Sequence, residues 1–304
     1  MRRARWAAVA TAVFWLATSS ALAQPPTSNV AFGPYSWNLL DACVPAVPPA
    51  ATVVLIHGGG WIAGDKAATS AMCATLAQQG LLVLNINYRH LAAGDPSTYW
   101  PGVLADAQLA MRWARLHASD YGADPTRVCA AGVSVGAQLA AFLGVRKFIE
   151  PASAVIDPMG ETALYADQSP AARCVADFFG PVDLTQFYDP ILPELRSEIV
   201  EMVRNLPAYR YGFQAALQQA SPLFYVAPDS APMMIVQGSG DHTVVPATQS
   251  RPLVEALQFF HVPARYFIYR GGHSFTGLSA AQRNKLYLLA AQFIKAYASY
   301  KFSM

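Results

Sequence analysis

The sequence predicts an α/β fold, a mostly parallel central sheet covered on both faces by helices. Two observations carry this. From about Thr52, short apolar runs of strand length alternate with longer segments of helical periodicity. The 304 residues are 54% hydrophobic and only 13% charged, against roughly 25% charged in an ordinary domain. This apolar excess suits strands buried on both faces and excludes intrinsic disorder. The 22 prolines and 20 glycines follow no collagen-like period. With no internal repeat and no low-complexity linker, one domain is expected.

The first residues stand apart from that fold. Arg2, Arg3 and Arg5 form a positive start, Trp6 to Ala17 is apolar except for Thr11, and Ala21-Leu22-Ala23 is a small-x-small cleavage pattern. The apolar run is about 12 residues, shorter than the roughly 18–20 needed to span a bilayer. Residues 1–23 therefore read as a signal peptide, residues 24–304 as the mature domain, and the location as secreted or periplasmic. The formal charge of +2 is too weak for a nucleic-acid binder. Removing the three N-terminal arginines leaves 18 basic residues against 19 acidic, a net charge of −1 (18 − 19). No later segment reads as a transmembrane span, so stable membrane insertion is not expected.

Export places Cys43, Cys73, Cys129 and Cys174 where disulfides persist. Four cysteines allow three pairings. Cys129 and Cys174 fall near the starts of neighbouring strands, which favours Cys43–Cys73 with Cys129–Cys174, buried thiols being the alternative. None has a metal-ligand spacing.

Along the chain, Thr52–His57 reads as a strand buried on both faces, Lys66–Gln79 as a helix stopped by Gly80, and Leu81–Asn87 as the next strand. Pro101–His117 is an amphipathic helix on Leu104, Ala107, Met111 and Ala114. Further strands are read at Arg127–Ala131, Val175–Phe179, Met233–Gln237 and Ala264–Tyr269. Helices are read at Leu253–Phe260 and Ala280–Tyr297. Two stretches break the alternation, Phe148–Arg173 and Leu184–Ala227. Both follow strands, where insertions sit near the ligand crevice of an open sheet, and 184–227 is read as a lid-like insert.

The chemistry gathers after the strands. Gly132-Val133-Ser134-Val135-Gly136 fits G-x-S-x-G between a strand and an alanine-rich helix, Ala137–Gly144, the turn that presents a nucleophilic serine. His57-Gly58-Gly59-Gly60-Trp61 ends the earlier strand; its glycines let backbone amides approach a ligand. Gly59, Gly60 and Val135 are the expected oxyanion donors, with Trp61 a substitute. No Lys-Ser/Thr follows the glycines and no G-x-G-x-x-G occurs, which argues against a phosphate loop. No cofactor and no metal is expected.

A serine nucleophile needs a base, and the base an orienting carboxylate. Of six histidines, His273 alone lies in a glycine-flanked loop after a strand, Gly271-Gly272-His273-Ser274-Phe275. His57 is read as a brace of its loop, and His90, His117, His242 and His261 as loop, helix-end or surface residues. Asp241 follows the strand Met233–Gln237. The order Ser134, Asp241, His273 is that expected of α/β-hydrolases. Asp183 is the rival acid, approached by a Gly180-Pro181 turn. Trp61, Tyr88 and Phe275 are candidate substrate-binding walls, with a plain core role as the alternative.

These motifs together, HGGGW followed by IAGDK, the stretch DAQLAMRWARLHASDYGADPTRVCAAGVSVGAQLAA, then FFGPVDL, ASPLFYV, GSGDHTVVP and GGHSF, resemble the α/β-hydrolase carboxylesterases, above all those related to feruloyl and acetyl-xylan esterases. The likeness runs from Leu39 to Tyr297 and extends to kynurenine formamidases and hormone-sensitive-lipase-like enzymes. It implies Ser134, Asp241 and His273 as nucleophile, acid and base, and Gly59-Gly60 as the oxyanion loop. Two departures stand out. The elbow reads GVSVGA where relatives have GxSAGG, so Val135 and Ala137 are expected to narrow the pocket or shift the helix. Only 33 residues, Gln24 to Ile56, precede His57 in the mature chain, room for one or two opening strands rather than the N-terminal cap of the lipase-like branch.

The expected activity is hydrolysis of a small-molecule or polymer-attached carboxylic ester, feruloyl, acetyl or another short-chain group. An arylformamidase-like amide hydrolase, a polyester or lipid ester hydrolase and a secreted peptidase are the rival enzymes. An inactive binding module is the reading from another class.

Overall fold

Runs without a polar face form the middle of the sheet. The structure is a computed structural model, and it describes residues 27–146, 157–187, 199–200, 202–204 and 206–299. The segment read as a signal peptide lies outside these residues, as do the first part of Phe148–Arg173 and residues 188–198 of the 184–227 insert.

Among the described residues there are eight strands: β1 (Val30–Ala31), β2 (Leu39–Cys43), β3 (Thr52–Ile56), β4 (Leu82–Ile86), β5 (Val128–Val133), β6 (Val175–Phe178), β7 (Met233–Gly238) and β8 (Ala264–Tyr269). They form one sheet in the order β1-β2-β4-β3-β5-β6-β7-β8. β1–β2 and β2–β4 pair antiparallel, and the pairings from β4 through β3 to β8 are parallel. Strands β3, β4, β6 and β7 are buried along their whole length, as a sheet covered on both faces requires. β2 alternates partly exposed and buried positions, and the edge strand β8 is partly or fully exposed up to its last residue, Tyr269, which is buried.

Helices cover both faces. They are α1 (Ser70–Gln78), α2 (Gly102–His117), α3 (Val135–Val145), a short α4 (Leu184–Phe187), α5 (Phe213–Gln219), α6 (Ser250–Phe259) and α7 (Ala280–Tyr297). Successive strand residues point to opposite faces, so Val54 and Ile56 join one core with α2, α3 and α6. Val53 and Leu55 join the other with α1 and α7. The predicted helix Lys66–Gln79 divides in two: Lys66–Thr69 is a 3₁₀ turn whose Ala67 amide donates to Asp65 Oδ1 at 2.7 Å, and α1 follows it. α6 starts three residues earlier than its apolar pattern, because Pro252 in a first helical turn forfeits no hydrogen bond.

The disulfides pair as Cys43–Cys73 and Cys129–Cys174, with Cα separations of 5.9 and 4.8 Å. The first ties β2 to α1 and the second ties β5 to the residue before β6. A buried polar cluster closes the side of α2: Asp106 accepts from Arg89 Nε at 2.9 Å and from Asn38 Nδ2 at 2.9 Å, and Arg89 also pairs with Glu161. Burial pushes the Glu161 carboxyl up to about 9.

Part of the described 184–227 insert packs into the core, while Tyr209, Tyr211 and Phe224 stay exposed. Leu184, Met202, Val203, Leu206, Ala216 and Leu217 are buried with α2 and α3, and Trp100 N donates to Met202 O at 3.2 Å. Among the described residues no helix is long and apolar enough to cross a membrane.

Candidate active site

The turn from β5 into α3 is made by close backbone approach. A Cβ on Gly132 would stand 2.2 Å from Gly136 C, and one on Gly136 would stand 2.2 Å from Ile56 O. Between these glycines Ser134 adopts φ 54°, ψ −125°, a strained conformation that fixes where its side chain projects. Its amide donates to Phe178 O at 2.9 Å, so β6 holds the serine from behind. α3 begins at Val135, two residues before the Ala-rich run suggests, directly after the serine.

The loop after β8 brings His273 to this serine. His273 Nε2 lies 3.0 Å from Ser134 Oγ, and His273 Nδ1 lies 2.8 Å from Asp241 Oδ2. Asp241 is 2% exposed and its oxygens are saturated. Oδ1 accepts the Thr243 and Val244 amides at 2.9 and 2.8 Å, and Oδ2 accepts Gln237 Nε2 at 2.9 Å besides the imidazole. A carboxylate so placed accepts from His273 Nδ1–H, which leaves Nε2 unprotonated and facing the serine hydroxyl. The loop is itself anchored: Gly240 N donates to Gly271 O, Gly272 N to Thr276 O, and the Tyr269 hydroxyl to Gly272 O at 2.7 Å. Phe179 presents its ring edge-on to His273, centroids 4.9 Å apart.

The glycine loop after β3 faces the same point. Gly59 has φ 141°, and a Cβ there would stand 1.7 Å from Ala63 O, so only glycine fits. Among the described residues the amides of Gly59, Gly60 and Val135 have no protein acceptor. His57 is buried beneath this loop. Its Nδ1 donates to Gly58 O at 2.7 Å and its ring stacks on Tyr88, centroids 4.4 Å apart. Burial pulls its pKa down to about 4, which suits a brace.

Ser134, His273, Gly58-Gly59-Gly60, Trp61, Val135, Phe179 and Phe275 all line one cavity of about 620 Å³. Two of the three wall candidates reach it, Trp61 and Phe275. Tyr88 does not. It is buried at 1% exposure under the loop, its hydroxyl donating to His57 O at 3.1 Å; the strand-end position that suggested a wall instead supports the floor. The rival acid Asp183 is also placed elsewhere: its Oδ1 accepts the Thr185 amide and hydroxyl at 2.9 and 2.6 Å, at the start of α4. No described residue of 184–227 lines the cavity. His242 and His261 are exposed, and His117 pairs with Asp120 at 2.8 Å.

Three contributors escaped the sequence reading. Gln237 supports Asp241, and Gln138 holds Trp61, its Oε1 accepting Trp61 Nε1 at 2.9 Å. Asp177 on β6 accepts the Gly180 amide at 2.8 Å, and burial pushes its carboxyl up to about 7. Only Gln237, on β7 four residues before Asp241, had a positional signal. Ala137, one of the two departures at the elbow, is accommodated by Gly180, where a Cβ would come within 2.9 Å of the Ala137 methyl.

Comparison with known proteins gives this geometry its family. The BD-FAE family matches residues 40–257. Among curated relatives, "Probable carboxylic ester hydrolase LipM" of Mycobacterium tuberculosis is 28% identical over 204 residues, covering 67% of this chain and 44% of that protein. Esterase LipQ of the same organism is 29% identical over 242 residues, covering 76% and 52%. The chain thus spans about half the length of these relatives. Among solved structures, the thermophilic esterase Est2 of Thermogutta terrifontis superposes with a TM-score of 0.69 at 23% identity, over 90% of this chain and 92% of that one. It has also been solved phosphorylated by paraoxon. With the family match spanning most of the sheet and both glycine motifs, the chain belongs to the BD-FAE family of α/β-hydrolase esterases.

Proposed function

We propose that the protein is a secreted serine carboxylic ester hydrolase that works through an acyl-enzyme. The observation that carries this reading is the unbroken hydrogen-bond chain Ser134–His273–Asp241 at the wall of the cavity. The esterase names of the relatives accord with it.

Each step follows from the geometry. His273 Nε2 takes the Ser134 proton as Oγ attacks the ester carbonyl, and Asp241 stabilises the resulting imidazolium. The negative charge on the carbonyl oxygen is met by the Gly59, Gly60 and Val135 amides, each such donor being worth about 10²–10³ in turnover. The start of α3 adds its positive dipole end. Imidazolium then protonates the leaving alcohol, and His273 next activates water to release the acid. No cofactor is needed at any step. A volume of about 620 Å³ lies in the range of small-molecule sites. Met72, Phe179 and Phe275 give it an apolar lining suited to a short acyl or aryl-acyl group.

Residues 1–23 act in this proposal as the export signal, and residues 24–304 as one domain in which 184–227 is an insert. N-terminal sequencing of the exported protein is expected to begin at Gln24. The catalytic test is Ser134→Ala on p-nitrophenyl acetate and butyrate, with fluorophosphonate labelling alongside. Activity is expected to fall at least a thousandfold and labelling to vanish. Wild-type-like turnover in the variant would overturn the assignment.

A further inference from the structure

Among the described residues the cavity lining is apolar or neutral apart from two side chains. One is His273. The other is Arg283, on the second turn of α7, which also lines an adjoining groove of about 380 Å³ with Ala71, Thr75, Ala280, Ala281, Asn284 and Tyr287. Cavity and groove share Ala71, Arg283 and Tyr287, so the two adjoin at these residues and together form the cleft beside Ser134. Among the described residues no carboxylate lines either part. Arg283 Nη1 donates to Leu278 O at 3.1 Å, and among the described residues no acid pairs with it. One backbone acceptor leaves most of a five-donor guanidinium uncommitted.

The position is electrostatically unusual. A helix start favours anions and disfavours cations, and α7 has no acid in its first turn. Ser279 and Gln282 close a capping box there, yet among the described residues the Ala280 and Ala281 amides have no protein acceptor. Both residues line the groove. Among the described residues the cleft beyond the nucleophile therefore combines a half-buried guanidinium and solvent-facing helix amides with no acidic side chain, beside an apolar wall.

We propose that this cleft takes esters that also carry a carboxylate, and that Arg283 is the specificity-determining residue that recognises it. This rests on the ester-hydrolase reading and names its substrate class. A carboxylate is the anion that fits: the guanidinium offers it a two-pronged hydrogen bond, and the helix start adds donors of the same sign. The carboxylate takes no part in bond breaking. It fixes the ester in the cleft so that the carbonyl faces Ser134 Oγ. An apolar ester of the same length gains only the wall contacts.

The test compares each acid with a neutral partner of equal length in wild type and in Arg283→Gln. Monomethyl glutarate and monomethyl adipate against methyl pentanoate and methyl hexanoate place the carboxylate on the acyl side. 4-Acetoxybenzoate against 4-acetylphenyl acetate places it on the leaving alcohol. On one of the two sides, Arg283→Gln is expected to lower kcat/KM for the acid about 10-fold or more, while the neutral partner changes less than twofold. Arg283→Lys is expected to restore part of the loss, and salt to weaken wild-type selectivity. Equal losses on acid and neutral esters, or no loss on either side, would overturn the proposal while leaving the hydrolase reading intact. If wild type cleaves the neutral esters no faster than Ser134→Ala does, it is the hydrolase reading that fails, and this one with it.

Discussion

Trp61 and Gln138 lock the glycine-rich loop onto the helix behind the nucleophile. The indole Nε1 donates to Gln138 Oε1 at 2.9 Å, both side chains are buried, and Gln138 Nε2 passes the connection on to Ala220 O at 2.8 Å. The amides of Gly59 and Gly60 therefore sit on a loop pinned from below by a side chain of α3, the helix that starts at Val135. Trp61→Phe keeps an aromatic ring but leaves Gln138 Oε1 buried without its donor, a loss of about 1–3 kcal/mol. The expected result is a lower Tm and a fall in kcat with KM for p-nitrophenyl butyrate little changed. A fall confined to KM would mean that the indole acts only as a pocket wall.

The elbow offers a sharper steric test. Replacing Gly136 with alanine sets a Cβ 2.2 Å from Ile56 O and 2.4 Å from His57 O. Both atoms belong to backbone at the end of β3, which cannot yield without pulling apart the β3–β5 pairing or the glycine loop. Gly136→Ala is expected to abolish activity and to lower Tm far more than Gly94→Ala, where a Cβ meets nothing within 4 Å. Gly94 has φ 81°, so that control carries only backbone strain. Thermal unfolding followed by circular dichroism compares the two directly.

These relationships mark how far the sequence reaches. β8 and α7 have the bounds that their patterns predict, Ala264–Tyr269 and Ala280–Tyr297, and other strand ends shift by one or two residues. Ser134, Asp241 and His273 were legible because each follows a strand at the carboxyl edge, where the parallel order gathers loops at one point. Tyr88 follows a strand too, but the stacking of His57 over its ring buries it, and burial is invisible in a local pattern. Arg283 and Gln138 lie in helices whose periodicity assigns them a face and nothing more. What they touch comes from α7 meeting α1, and from α3 meeting the insert, across more than eighty residues of chain in the case of Gln138 and Ala220.

The two disulfides support different parts of this framework. Cys43–Cys73 spans 30 residues and joins an antiparallel outer strand to α1, whereas Cys129–Cys174 spans 45 and joins β5 to the residue that precedes β6. Restricting the unfolded chain over loops of this length is worth about 3–4 kcal/mol each. Cys43→Ser with Cys73→Ser is expected to lower Tm and to leave kcat nearly unchanged, because neither cysteine lines the cavity. Cys129→Ser with Cys174→Ser acts on β5, which ends at the residue before Ser134, so its Tm loss is expected to bring a loss of kcat. Equal kcat in both double variants would sink that distinction.

Stability should vary with pH through several buried groups, of which Asp177 and His57 act in opposite senses and Glu161 acts in the sense of Asp177. Burial raises Asp177 from 3.8 to about 7. Below about pH 4 the carboxyl is neutral whether the chain is folded or not, and the native state bears no penalty. Between about pH 4 and 7 the unfolded chain releases a proton that the native state keeps, so stability falls as pH rises, by up to about 4 kcal/mol. His57 works the other way. Burial lowers it from 6.5 to about 4, so as pH falls through that window the unfolded chain takes up a proton that the native state refuses, and stability falls with it. Asp177→Asn separates the two, because an amide oxygen can still accept the Gly180 amide while carrying no charge. The variant is expected to melt higher than wild type at pH 8, with the gap closing towards pH 4–5, where the loss due to His57 is left in both. A Tm difference that stays constant between pH 5 and 8 would show that Asp177 does not titrate in this range.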